Sequence, residues 1–369
     1  METERYTPML AWLCALLLAA CSKPAAPAPQ PTGPMRLAVP EHGAYTGAYI
    51  DFGEKEDDVT LEAIEDFEKL VGKKQAIVAS SSYWGEQTFP KANVELIWRH
   101  GSVPMIFWSP WDKPYEESHG PDKFSLTNIL AGQWDEYIDR WAEGARDFGQ
   151  PVFVSFANEM NGSWFPWSGM FYGGTTPIPG EKLKYQGAEH FKKAYRYVVD
   201  RVRAKGATNI QWVYHLMDYS YPQEFGNYAA DYYPGSDYVD WLGLSIYGEQ
   251  FQKEPWAVFL PLLEWPYKEI CALDPGKPVM LAEWGCGEFP GKGSKAQWIR
   301  DGFDAMKTKF PRIKAAIYWQ ERWQNSDGSF SNLRVNSSME SLDEYRKGVA
   351  DPRWLERPIL QPREGKTGS

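Results

Sequence analysis

Eight short apolar runs, separated by stretches with apolar residues at helical spacing, constrain this chain more than any other feature. The runs lie at 45–52, 76–79, 103–108, 152–156, 209–214, 238–247, 278–283 and 313–319. Between them, Leu61, Ile64, Phe67 and Leu70 mark one amphipathic face, and Trp134, Tyr137, Trp141, Ala145 and Phe148 mark a second. Phe191, Tyr195, Val198 and Val202 mark a third, with further helical stretches through 94–98, 256–271 and 296–306. Strands that alternate with helices call for parallel pairing through crossover helices. Eight such units favour closure over an open doubly wound sheet, and no G-x-G-x-x-G or P-loop pattern marks a nucleotide site. The expected fold class is therefore α/β, a single (β/α)8 TIM barrel. With 369 residues, the chain holds one barrel of about 250 residues with additions. The barrel is expected over 41–335, with a C-terminal cap and flexible tail over 336–369.

The first 40 residues have a different character. An uncharged run at 9–20 is too short to span a bilayer comfortably and fits the apolar core of a signal peptide. It ends in Leu18-Ala19-Ala20-Cys21, which resembles a bacterial lipobox, so 1–20 is expected to be removed and Cys21 to be the lipidated first residue. Glu2 and Glu4 offset Arg5, where such signals carry a positive excess. Residues 21–40 form a Pro/Ala-rich linker, with five prolines between Ser22 and Pro34, an extended spacer of about 3.1 Å per residue. The expected location is the bacterial cell envelope, with contact to the membrane through the N-terminal lipid only. Cys14 leaves with the signal. Cys271 and Cys286 fall near opposite ends of the seventh run, roughly 20 Å apart at about 3.3 Å per residue, and are expected to be free thiols.

The formal charge of −10 and the lack of any Lys/Arg stripe argue against nucleic acid as a partner. The aromatic content points elsewhere, with 18 Trp and 21 Tyr available to cover the apolar faces of sugar rings. In a barrel of this class, residues at the C-terminal ends of strands face the site. Glu159 follows the fourth run and Glu283 ends the seventh, on opposite sides of the barrel, so their carboxyls can converge on one bond. A retaining glycosidase needs such a pair about 5 to 5.5 Å apart. Glu159, flanked by Asn158, Asn161, Trp164 and Trp167, would keep its proton as the acid/base, and Glu283 would stay ionised as the nucleophile. The five histidines show no metal spacing and no G-x-S-x-G elbow occurs, so neither a metal nor an organic cofactor is implied.

Three segments carry a resemblance: Asn-Glu-Met-Asn-Gly-Ser-Trp-Phe-Pro-Trp at 158–167, Tyr-Pro-Gly-Ser-Asp-Tyr-Val-Asp-Trp-Leu-Gly-Leu at 233–244, and Pro-Val-Met-Leu-Ala-Glu-Trp-Gly at 278–285. Together they resemble glycoside hydrolase family 26 over roughly residues 40–330. The resemblance implies a (β/α)8 barrel and retaining endo-cleavage of β-glycans, with acid/base and nucleophile at Glu159 and Glu283. Tyr247 matches a family tyrosine that hydrogen-bonds the nucleophile. Trp319 is expected under the cleaved sugar, and Trp164, Trp167 and Trp108 on the walls of the cleft; Trp84, Trp284 and His215 are lesser candidates. The family's mannanases usually carry His before the acid/base and in the loop after strand three, where this chain has Asn158 and Trp108-Ser109-Pro110. An Asn at the first position suits an equatorial 2-hydroxyl, so mixed-linkage β-glucan or a similar glycan is favoured over mannan. A β-1,4-mannanase, a β-1,3-xylanase and a catalytically silent carbohydrate-binding lipoprotein are the alternatives. The expected partner is a β-linked polysaccharide or oligosaccharide, acted on by a monomer.

Overall fold

The computed structural model describes residues 34–52, 58–112 and 120–363, and in it each apolar run contains a parallel strand. The strands are β1 (Ala44–Ile50), β2 (Ile77–Tyr83), β3 (Val103–Ser109), β4 (Val152–Phe156), β5 (Ile210–Met217), β6 (Trp241–Tyr247), β7 (Val279–Gly285) and β8 (Ile313–Gln320). Each pairs with the next, and β1 pairs with β8 from Tyr45 opposite Ala315 to Ile50 opposite Gln320, which closes the barrel. Side chains alternate between two apolar environments, as buried parallel strands require. Tyr45, Tyr49, Ile77, Met105, Phe107, Phe153, Val213, Trp241 and Met280 fill the interior. Val78, Ile106, Val154, Trp212, Leu242 and Leu281 face outward into a layer shared with the helices.

Those helices are α1 (Leu61–Val71), α2 (Lys91–His100), α3 (Asp135–Phe148), α4 (Gln186–Ala204), α5 (Ala229–Tyr232), α6 (Phe259–Leu273), α7 (Lys295–Thr308) and α8 (Met339–Val349). Local chemistry sets their ends. The Thr60 side chain accepts from the Ala63 amide to cap α1, and Gly72, in the left-handed region at φ 72°, stops it. The fifth crossover has only four helical residues, where the sequence shows no amphipathic stretch. Among the described residues no helix is long and apolar enough to cross a membrane.

Both predicted boundaries of the barrel are corrected. Within the stretch expected to be a cap and tail, residues 339–349 form a helix, α8, that belongs to the barrel's outer layer, and its Tyr345 packs on Trp284 and Phe303. After it, Trp354–Leu355 pairs parallel with the start of β1, and Leu360–Pro362 pairs antiparallel with Met35–Leu37. Residues 35–40, expected in the linker, thus belong to the folded unit: Leu37 is buried, and its amide donates to Gln211 Oε1 at 2.6 Å. Gly43 makes the return possible. It sits at φ 81°, and a Cβ there would collide with the Arg353 carbonyl. The predicted signal peptide, Cys14 and Cys21 lie outside the described residues, as do residues 113–119 of the loop after β3. Cys271 and Cys286 are free thiols, as expected.

Candidate active site

The loop that leaves β4 is shaped by two non-glycine residues in the left-handed region, Ala157 at φ 49° and Glu159 at φ 54°. Such backbone costs of order 1–3 kcal/mol per residue and persists only where its surroundings hold it. Here the Glu159 amide donates to the His215 carbonyl at 2.8 Å, and Trp167 Nε1 donates to the Asn158 carbonyl at 2.6 Å. Asn161 does similar work and is not a sugar ligand. Its side-chain carbonyl accepts from the Met217 amide at 3.0 Å and its Nδ2 donates to the Met217 carbonyl at 3.2 Å, tying the loop to the end of β5. Asn158, 6% exposed, is thereby held between the two left-handed residues.

Glu283 reaches the same place by a different device. Strict alternation along β7 would put it outward with Val279 and Leu281, the side facing the helices. The register with β6 shifts, so that Leu244 opposes Leu281 and Ser245 opposes Glu283, and the bulge turns the carboxyl inward. One oxygen of Glu159, one of Glu283 and a ring nitrogen of His215 lie within 4.8 Å of one another. Tyr247 donates its phenol proton to Glu283 Oε2 at 2.6 Å. Trp164 Nε1 donates to Glu159 Oε2 at 3.2 Å, and Ser245 also bonds the Glu159 carboxyl.

His215 lies beneath both carboxyls and is 1% exposed. Nδ1 meets Ser155 Oγ at 3.0 Å and Nε2 meets Ser245 Oγ at 2.8 Å, while Glu283 Oε1 is 3.9 Å away. Burial pushes the imidazole down to about pKa 3, so it is a neutral post and not an ion-pair partner. The carboxyls move the other way. Burial raises both, and the charge of Glu159 adds to the rise at Glu283, which stands well above the usual range. The phenol bond from Tyr247 opposes that rise and favours the ionised form of Glu283. Two carboxyls this close share a proton over a pH range in which isolated ones hold none. The trio Glu159, His215 and Glu283 also offers donor atoms at metal-binding distance, but both His215 nitrogens already have hydroxyl partners.

The aromatic residues divide sharply. Trp319, partly exposed, stacks on Tyr49 with ring centres 3.9 Å apart and planes 6° from parallel. Trp164 is 39% exposed and approaches Tyr221 at 5.6 Å. Two expected platforms are corrected. Trp108 points outward from β3, fully buried, stacked on Trp141 at 4.0 Å with Nε1 donating to Tyr137 Oη. Trp167 is 1% exposed and stacked on Phe165, so it braces the loop from below. Trp84 and Trp284 are likewise core residues. Strand-end carboxyls missed in the sequence are Asp218, one residue beyond β5 and buried, and Glu321, one beyond β8 and partly buried, both raised to about pKa 7 chiefly by desolvation.

A family model described as Glycosyl hydrolase family 26 matches residues 122–290, a span that includes Glu159, Tyr247 and Glu283. Over that span the chain is similar to glycoside hydrolase family 26. Endoglucanase H of Acetivibrio thermocellus is 27% identical to this chain over 293 residues, which are 78% of the chain and 29% of that protein. A mannan endo-1,4-beta-mannosidase of Bacillus subtilis is 30% identical over 244 residues, 65% of the chain and 58% of that protein. The chain therefore spans under two thirds of the length of either relative. The catalytic domain of a Bacillus sp. JAMB-750 endo-beta-1,4-mannanase superposes with a TM-score of 0.63 at 20% identity, covering 85% of this chain and 87% of that one. That likeness establishes the shared barrel fold.

Proposed function

We propose that this chain is a retaining endo-β-glycanase of glycoside hydrolase family 26. The observation that carries the reading is the meeting of the Glu159 and Glu283 carboxyls, with oxygens within 4.8 Å, at the C-terminal end of the barrel. That spacing suits double displacement; inversion needs about 6.5–9.5 Å to admit a water. Glu283, ionised, attacks the anomeric carbon while Glu159 gives its proton to the departing glycosidic oxygen. The ester that forms removes the Glu283 charge, so Glu159, now ionised, takes a proton from water as the water's oxygen displaces Glu283 from the anomeric carbon. Tyr247 holds Glu283 in line.

Mixed-linkage β-glucan, or another glycan with an equatorial 2-hydroxyl, is the favoured substrate. Asn158 beside the acid/base supports it, and so does the similarity to an endoglucanase. The similarity to a mannan endo-1,4-beta-mannosidase supports β-mannan as a second substrate. Cys21 is proposed as a lipid anchor that holds the enzyme at the cell envelope; replacing it with Ser should release the protein from membranes.

Reducing-sugar release from mixed-linkage β-glucan, galactomannan and β-1,3-xylan tests the substrate, with the first expected to be fastest. Replacing either Glu159 or Glu283 with Gln should leave a folded protein and lower kcat on good substrates by about 10³-fold or more. Full activity in either variant would overturn the mechanism.

A further inference from the structure

Trp319 has one polar atom, and that atom is committed. Its Nε1 donates to Glu321 Oε2 at 2.7 Å. The two residues are i and i+2 at the end of β8, so both side chains leave the strand on the same face. One face of the indole lies flat on Tyr49, and its edge meets Phe107 with centres 5.7 Å apart and planes 63° apart. These apolar contacts restrict tilting but allow the ring to slide or turn in its own plane. The bond to Glu321 removes that freedom, and a carboxylate acceptor makes it stronger than a neutral one would.

We propose that Glu321 is a positioning residue for hydrolysis, fixing the Trp319 plane beneath the sugar whose anomeric carbon Glu283 attacks. The inference rests on the glycosidase reading above. Glu321 is itself held: its carbonyl accepts from the Leu333 amide at 2.9 Å, and Arg334, paired with Asp51, supplies the nearby positive charge. The charged and titratable groups around it are Asp51, Arg334, Glu283 and Tyr247. Its charge acts on Glu283 in the same sense as that of Glu159, opposing ionisation of the nucleophile. A group that only filled space would have neither effect.

Two substitutions separate the bond from the charge. In Glu321→Gln an acceptor oxygen remains for the indole while the charge is gone. KM should stay within about twofold of wild type, and the acid limb of kcat/KM should move to lower pH by roughly half a unit or more, because Glu283 ionises more easily. In Glu321→Ala the tether is lost, and kcat/KM should fall about tenfold or more. A readout independent of turnover is the indole N–H resonance of Trp319, assigned by Trp319→Phe. It should shift and broaden in Glu321→Ala and stay near its place in Glu321→Gln. An unchanged resonance in Glu321→Ala, or equal losses of kcat/KM in the two variants without a pH shift, would overturn the proposal. Should Glu321→Ala fail to fold, Glu321→Gln decides alone: a resonance near its wild-type place with the acid limb moved supports the proposal, and an unmoved limb overturns it. Glu283→Gln run in parallel keeps the two readings apart. If it is inactive and the Glu321 variants behave as wild type, only the positioning role falls; if wild type hydrolyses no β-glycan, the glycosidase reading falls.

Discussion

Asp218 shows how the site strains its own residues. It is 6% exposed, accepts from the Tyr219 amide at 2.8 Å, and feels the charges of Glu159 and Glu254. Burial is the main cause that lifts its carboxyl from 3.8 to about 7. Between pH 4 and pH 7 the unfolded chain has released this proton while the folded chain retains it, so stability contributed by the protonated form is lost as pH rises through that window. Above it the whole cost is present. Asp218→Asn keeps an acceptor for the Tyr219 amide and removes the cost. It should raise the unfolding free energy by about 2 kcal/mol at pH 8 and leave it unchanged near pH 3.5, as measured by urea denaturation at the two pH values. Equal effects at both would contradict the assignment. Glu159 and Glu283 incur the same kind of cost for being buried together.

Among the elements, β3 and the β4 loop make opposite use of tryptophan. Trp108→Ala empties a buried space between strand and helix, and should cost about 3–5 kcal/mol. Trp164→Ala removes a part-exposed ring and should leave the melting temperature within a few degrees while raising KM. Thermal melts with Michaelis kinetics check both, and a stable Trp108→Ala protein with a raised KM would return that residue to the cleft. The sequence located all eight strands within a few residues, because apolar runs bounded by turn residues survive as runs whatever surrounds them. It could not assign Trp108 a side, since both faces of a barrel strand are apolar and period 2 carries no contrast. Nor could it foresee the bulge in β7. Alternation would have turned Glu283 toward the helices, and only the one-residue register shift against β6 brings it into the barrel. Glu159 and Glu283 were legible as strand-end acids, whereas Asp218 and Glu321 stood among other polar loop residues and carried no pattern.

In the whole molecule, the barrel is completed by its C-terminal segment. Polar, Pro- and Gly-containing residues after Asn336 suggest a short cap and a tail, and α8 covers Trp284, Phe303 and Phe67. Arg363 then reaches back: its amide donates to the Pro34 carbonyl at 2.9 Å and its guanidinium to the Thr208 carbonyl at 2.7 Å. A chain ended at residue 335 should therefore lack cooperative unfolding and be cleaved rapidly by protease, and a stable, active product would show the segment to be dispensable. The central claim is that this closed frame holds Glu159 and Glu283 at the spacing of a double displacement. Proton NMR of the first products released from the preferred β-glycan tests it most directly. The β-anomer should appear first and mutarotate slowly to the equilibrium mixture; initial release of the α-anomer would contradict the mechanism.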